Sequence, residues 1–332
     1  MTMRPCVYVT SGWGIHDERW TAALQTLGFE PRIVRLEIDT PDGAGLRDVV
    51  DELSAGGVPV LAGPLDSVAF QLKDLPTRVV GLSWGFDLHQ MTDRSWLSEL
   101  DALIIDSRAT AELALDAGVQ PDAITFVPWG VELDVFNPDG PVADPTRFAI
   151  PSSARTLLSL RAHETLYRTV DIVDAFAQIA ENVDDLHLII GHTGSLTGRL
   201  QQHAVDLGIA DRTHFTGTIS EGDLPKLLRA VDIYVSASEV DGTSVTLLQA
   251  MASQTPVVVS DSPGNRAWIA PRHTGHLFTT GDVSDLARML HQALAQSPSE
   301  TDALTARARA LVEQEANWQA NLPRLAQAMT GA

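Results

Sequence analysis

The sequence predicts an α/β protein of two domains, each a parallel sheet with helices on both faces. Three observations carry this. Apolar strand patterns alternate with helical ones along almost the whole chain. A proline-rich break at Asn137 to Pro151, holding Pro138, Gly140, Pro141, Pro145 and Pro151, separates two such series and suits an interdomain linker. Finally, Val231 to Asp261 reads strand, acidic turn, helix, strand without interruption. A length of 332 residues also favours two domains.

In the first series, Val7 to Val9 is a strand, and Thr10-Ser11-Gly12-Trp13-Gly14 is a turn. Asp17 to Leu27 has helical spacing at Trp20, Ala23, Leu24 and Leu27, and Gly28 stops it. Strands follow at Arg32 to Leu36, Val58 to Ala62, Val79 to Leu82, Ala102 to Ile105 and Ile124 to Val127, with helices at Leu46 to Leu53 and Ala109 to Ala117. The second series has strands at Thr156 to Leu160, His187 to Ile190, Thr213 to Phe215, Ile233 to Val235 and Val257 to Val259. Its helices are Thr169 to Ala180, Gly194 to Leu207, Glu221 to Ala230, Ser244 to Ala252, Asp285 to Ala295 and Thr301 to Glu315. The expected domains are residues 1–140 and 148–316.

Composition narrows the function. Hydrophobic residues make up 44% of the chain, enough for two cores. The net charge of −20 repels phosphate backbones and anionic lipid, which argues against nucleic acid and membrane partners. Lysine occurs only at Lys73 and Lys226. Cys6 is the sole cysteine, so no internal disulfide can form, in keeping with a reducing cytoplasm. The first residues have too short an apolar run for a secretory signal, and no segment reaches the roughly 18 apolar residues of a span. No Cys/His cluster has zinc spacing, and Asp-x-Asp does not occur, so no metal is expected. The Gly12-Trp13-Gly14 turn falls short of a dinucleotide fingerprint, which excludes that cofactor class. Oligomeric state is not legible.

The chemistry concentrates after strand ends, where open parallel sheets bind ligands. Strand Ile233 to Val235 runs into small residues and the acidic turn Glu239-Val240-Asp241-Gly242. Thr243 and Ser244 are good caps for the helix that follows. Backbone N–H groups and the positive dipole end there suit a phosphate, at Gly242, Thr243, Ser244, Val245 and Thr246. Gln249 lies eight residues after Asp241, about two helical turns, so both can face one cleft. Arg161 ends the strand Leu157 to Leu160, and Arg168 follows.

The run Asp241-Gly242-Thr243-Ser244-Val245-Thr246-Leu247-Leu248-Gln249-Ala250-Met251-Ala252, with Thr255-Pro256-Val257-Val258 after it, resembles the signature of the retaining GT-B glycosyltransferases of family 4. Their usual form has Glu at both polar positions, where this chain has Asp241 and Gln249. Further matches, in order, are Pro128-Trp129-Gly130-Val131-Glu132 with Phe136 and Pro138, Arg161 with Arg168 and Asp171, and Ser260 to Arg266.

The resemblance implies two Rossmann-like domains facing across a cleft, with residues 317–332 folding back on the first. It implies transfer of a sugar from a nucleotide-diphosphate donor, UDP or GDP, to a hydroxyl acceptor. Arg161 and Arg168 would hold the diphosphate, Asp241 the donor sugar and Gln249 the ribose. The base would lie near Gly217-Thr218-Ile219. After its first strand the first domain would bring Gly12 and Gly14 close to the donor, and it would supply His16 and, after its third strand, Asp66 to the acceptor side. Trp84 stands where relatives carry a His that bonds the donor sugar. Asp87 suits that side too, and equally a buried helix cap. Two alternatives stay open: a homologue that binds without turnover, and a nucleotide-sugar 2-epimerase.

Overall fold

The computed structural model describes residues 3–39, 45–83, 87–148, 150–183 and 185–331. The chain divides into two compact units, Met1–Trp129 with Trp318–Ala332, and Gly130–Asn317.

The first unit holds a six-stranded sheet in the order β2-β1-β3-β4-β5-β6, every pairing parallel. Its strands are β1 Arg4–Thr10, β2 Phe29–Arg35, β3 Val60–Gly63, β4 Val79–Leu82, β5 Ala102–Ile105 and β6 Ile124–Phe126. Helices Ile15–Thr26, Leu46–Ser54 and Arg108–Asp116 form the crossovers. Strands buried on both faces read as unbroken apolar runs, which is why β3 to β5 were legible. One face packs Val7, Val9, Val60, Leu65 and Leu103 with Leu46 and Val50. The other packs Tyr8, Leu61, Val80 and Ile104 against Trp20 and Leu24, and against Trp318, Leu322, Leu325 and Met329 of the C-terminal helix Trp318–Thr330. That helix is therefore part of the first unit's core. Trp20 meets Trp318 edge-on at 5.6 Å, and the Arg19 guanidinium lies 4.2 Å from the Trp318 ring centre.

The second unit holds the order β12-β11-β10-β7-β8-β9, again all parallel. Its strands are β7 Arg155–Ser159, β8 Leu186–Gly191, β9 Thr213–Gly217, β10 Ile233–Ser236, β11 Val257–Ser260 and β12 His276–Phe278. Helix Thr169–Ala180 covers one face through Ile172, Val173 and Phe176, and helix Val245–Ala252 covers the other through Leu247, Leu248 and Met251.

Two expectations need correcting. The first domain ends at Trp129, not at residue 140. Val131 N–H donates to Ala316 O at 2.8 Å, Arg309 donates to Phe136 O at 2.6 Å, and Phe136 joins the second unit's core. The proline-rich segment thus lies within that unit. Strand β12 was missed because three residues beginning with His276 give no periodicity. Among the described residues no helix is long and apolar enough to cross a membrane.

Burial lowers the pKa of His163, His214 and His276 below the ordinary 6.5. These rings are held neutral in the fold, so the unfolded chain binds more protons in mild acid. Their contribution is complete above 6.5 and is lost as the pH falls below it. The urea midpoint should therefore drop between about pH 7 and about pH 5; a flat or rising midpoint on acidification contradicts this.

Candidate functional site

In the second unit the chain builds β7, β8 and β9 outward on one side, then crosses back to lay β10 on the other side of β7. Loops leaving β7 and β10 therefore diverge, opening a crevice at their carboxyl ends. Arg161 leaves β7 and Asp241 follows β10. Arg161 Nη2 lies 2.9 Å from Asp241 Oδ2, with side-chain exposures of 13% and 8%. Its Nη1 donates to Ser244 Oγ at 3.1 Å, and its guanidinium lies 4.3 Å from the centre of the Tyr167 ring. Three side chains from two loops thus converge on one cation.

The pair is close but imperfectly aligned. Asp241 Oδ2 receives no well-directed hydrogen bond, although the ion-pair distance is short. Burial raises the Asp241 pKa, and Arg161 pulls it back only in part. Burial works against the Arg161 charge too, but the attraction of Asp241, then of Tyr234 and Tyr167, outweighs it and leaves Arg161 raised. Two charges this deep lose most of their hydration, so each depends on the other.

Ser244 caps helix Val245–Ala252 by accepting from the Leu247 N–H. The first intrahelical bond runs from Leu248 N–H to Ser244 O, so the amides of Val245 and Thr246 precede the ladder and stand at the positive end of the helix. Thr246 Oγ1 is 2.7 Å from the buried Tyr234 hydroxyl, which fixes that first turn against β10.

The acidic loop rests on the segment after β11. A Cβ placed on Gly264 would lie 1.9 Å from Gly242 O and 2.3 Å from Asp241 O, so only glycine permits this approach. Asn265 Nδ2 donates to Ser260 O at 2.9 Å, and Ser260 Oγ donates to Ser238 O at 2.6 Å. Neither Gly264 nor Tyr167 was assigned a role from sequence. The close backbone approach and the ring contact are tertiary, and spacing does not encode them.

Arg168 is placed differently. It has a left-handed backbone at φ 47° and precedes helix Thr169–Ala180. Its Nε donates to Asp171 at 2.7 Å, which raises its pKa, and Glu239 adds to that field. Its side chain is more exposed than that of Arg161. Gln249 Oε1 is buried with no hydrogen-bond partner among the described residues. Thr218 is exposed beside Gly217, whose carbonyl accepts from His192 N–H at 2.7 Å. The buried His163 bridges Gly191 O and Thr197 Oγ1, tying the loops after β7 and β8 together.

The first unit has its own switch point between β1 and β3. The turn at Gly12 and Gly14 is pinned by Asp17, which accepts from Gly14 N–H at 2.8 Å and from the Tyr8 hydroxyl at 2.9 Å. The exposed His16 stacks edge-on against Trp129 at 4.5 Å. Asp66 is exposed after β3. Asp87 is buried and accepts from Ser83 Oγ and from the amides of Leu65 and Leu88, so its geometry is that of the buried cap. Trp84 lies outside the described residues.

Residues 144–310, half of the chain, match the sequence profile of the glycosyl transferases group 1. The chain belongs to this family. It is 29% identical over 234 residues to the D-inositol 3-phosphate glycosyltransferase of Stackebrandtia nassauensis, covering 67% of this chain and 50% of that one. It is 27% identical over 210 residues to the alpha-monoglucosyldiacylglycerol synthase of Streptococcus pneumoniae, covering 62% and 47%. The chain thus spans about half the length of these curated relatives. A glycosyltransferase structure from Rickettsia africae matches with TM-score 0.82 at 16% identity, over 100% of this chain and 99% of that one. The sucrose-phosphate synthase of Thermosynechococcus elongatus matches with TM-score 0.78 at 19% identity, over 98% of each chain. These likenesses establish the GT-B fold.

Arg161→Ala strands a buried carboxylate. It should cost about 3–5 kcal/mol of stability in urea unfolding, and adding Asp241→Ala should recover part of the loss. A double variant no more stable than Arg161→Ala contradicts the coupling.

Proposed function

We propose that the chain transfers a sugar from a nucleotide-diphosphate donor to a hydroxyl acceptor, with retention at the anomeric carbon. The observation that carries this is the arginine at the β7–β10 switch point beside a helix N-terminus. Breaking the sugar–phosphate bond puts negative charge on the leaving diphosphate. A guanidinium and unladdered amides at that place answer this charge. The solved structure of Anabaena HepE with UDP and glucose, which this chain matches with TM-score 0.77 at 15% identity over 99% of its length, supports a uridine donor; GDP remains the second candidate.

In this reading Arg161, Arg168 and the amides of Val245 and Thr246 hold the diphosphate, with Gly242, Thr243 and Ser244 shaping its bed. Gln249 Oε1, an acceptor lacking a donor, suits a ribose hydroxyl. Asp241 orients the donor sugar and counters charge at its anomeric carbon, and Thr218 lies beside the base. The anomeric carbon–oxygen bond to phosphate breaks, and a bond forms to the acceptor oxygen on the same face. The acceptor proton passes to the leaving diphosphate. Charge is handled by side chains and amides, so no metal or cofactor enters the scheme. Gly12 and Gly14 serve the donor by letting the backbone approach a phosphate or the sugar, and His16, Asp66, Trp84 and Asp87 serve the acceptor or the sugar. The acceptor is a hydroxyl of a glycan, a polysaccharide or a small metabolite.

UDP or GDP should raise the melting temperature of the protein, and a screen of sugar nucleotides should find one that is hydrolysed slowly or transferred. Arg161→Ala and Asp241→Ala should each lower turnover by at least about a hundredfold. A folded protein that no nucleoside diphosphate stabilises, or variants with unchanged turnover, contradicts the proposal. Isomerised sugar from donor alone would mark an epimerase.

A further inference from the structure

The cation proposed to take the diphosphate is already occupied. Arg161 spends Nη2 on Asp241, spends Nη1 on Ser244 and lies over Tyr167. Asp241 cannot back away along its own loop. The carbonyls of Asp241 and Gly242 are seated on Gly264, with no room for even a methyl group between them. Ser238 at the start of that loop is held by Ser260, and Ser260 by Asn265. The backbone of Asp241 is therefore clamped, and its carboxylate can leave Arg161 only by rotating the side chain.

We infer that Asp241 is a built-in competitor of the donor diphosphate for Arg161, and that it sets which nucleotides can bind. This rests on the donor-site reading above and adds a role to the same residue. A phosphate oxygen on the Nη2 side of Arg161 must replace the Asp241 contact. A diphosphate brings more charge and more acceptor oxygens than a monophosphate, so it displaces the carboxylate more effectively. The free site thus stays neutral in charge, and it discriminates against nucleoside monophosphates and stray anions. Once displaced, Asp241 is released from its counter-ion at the moment a donor sugar arrives for it to orient.

A second consequence concerns protons. The titratable and charged groups facing Asp241 are Arg161 after β7, Tyr234 from β10 and, across the guanidinium, Tyr167. Glu239 stands on the same loop, and on the segment beneath it Arg266 is paired with Asp261 at 2.7 Å. Arg161 is the one cation in direct contact with Asp241 among the described residues. When a nucleoside diphosphate without a sugar takes that cation, the carboxylate is left buried beside new negative charge and takes up a proton, whereas positive charge developing on a donor sugar favours its ionised form.

The test is calorimetric titration of the full chain with UDP and UMP, and with GDP and GMP if uridine does not bind. Asp241→Asn keeps the shape and removes the competing charge. It should bind the diphosphate about tenfold tighter or more, and it should narrow the preference for diphosphate over monophosphate. The same variant should still fail to transfer sugar. The natural protein should take up a proton on binding, seen as a heat that varies with the ionisation enthalpy of the buffer, and Asp241→Asn should lose that dependence. Gly264→Ala gives an independent check, because pushing the loop off Arg161 should also tighten diphosphate. Equal or weaker binding by a folded Asp241→Asn overturns the inference alone. No binding of any nucleoside diphosphate to either protein overturns the donor-site reading as well.

Discussion

The second unit is organised around one buried ion pair at the point where its sheet reverses direction. Arg161 and Asp241 come from loops 80 residues apart, and they meet because β7 and β10 are neighbours whose crossovers run to opposite sides. Neither charge is stable there alone, since the low-dielectric interior makes an unpaired ion very costly. Much of the surrounding polar wiring keeps this pair in register: Ser244 from the helix start, Tyr167 from the loop after β7, and Gly264 under the acidic turn. The apolar faces of the sheet fix the strands, and the strands fix the distance between the two loops.

The proposed donor site sets an anionic ligand against an acidic chain. A net charge of −20 repels phosphate at long range, but screening limits that repulsion to about a Debye length. Binding then depends on local donors. Arginine supplies them with a fork suited to phosphate oxygens, and the helix start adds amides that need no side chain at all. The two units share a plan of parallel strands with a switch point. Beside its own switch point the first unit presents a glycine turn pinned by Asp17, with His16 and Asp66 exposed.

Much of this was legible in the sequence, for physical reasons. Strands buried on both faces, such as Val257–Ser260, leave a continuous apolar run, and Ser244 is a cap because its hydroxyl can take the Leu247 N–H. Arg161, Asp241 and the Val245–Ala252 helix were therefore marked as one site, and the structure brings them within contact. The limits were equally physical. Asp87 followed a strand end and read as a ligand residue or a cap; its partners, Ser83 and the Leu65 amide, show the cap. The boundary near residue 140 was read from prolines, but those prolines lie in a segment packed on the second core. Gly264 and Tyr167 act through contacts with distant chain, which neither spacing nor composition records. Asp241 could be named as a charge, but that it pairs with Arg161 is a statement about three dimensions.

The most direct measurement is a crystal structure of the protein with the nucleoside diphosphate it binds best. The account predicts diphosphate oxygens at about 3 Å from the Arg161 guanidinium and from the amides of Val245 and Thr246, with the Asp241 carboxylate turned away from Arg161. A diphosphate bound elsewhere, with the Arg161–Asp241 contact intact, would contradict it.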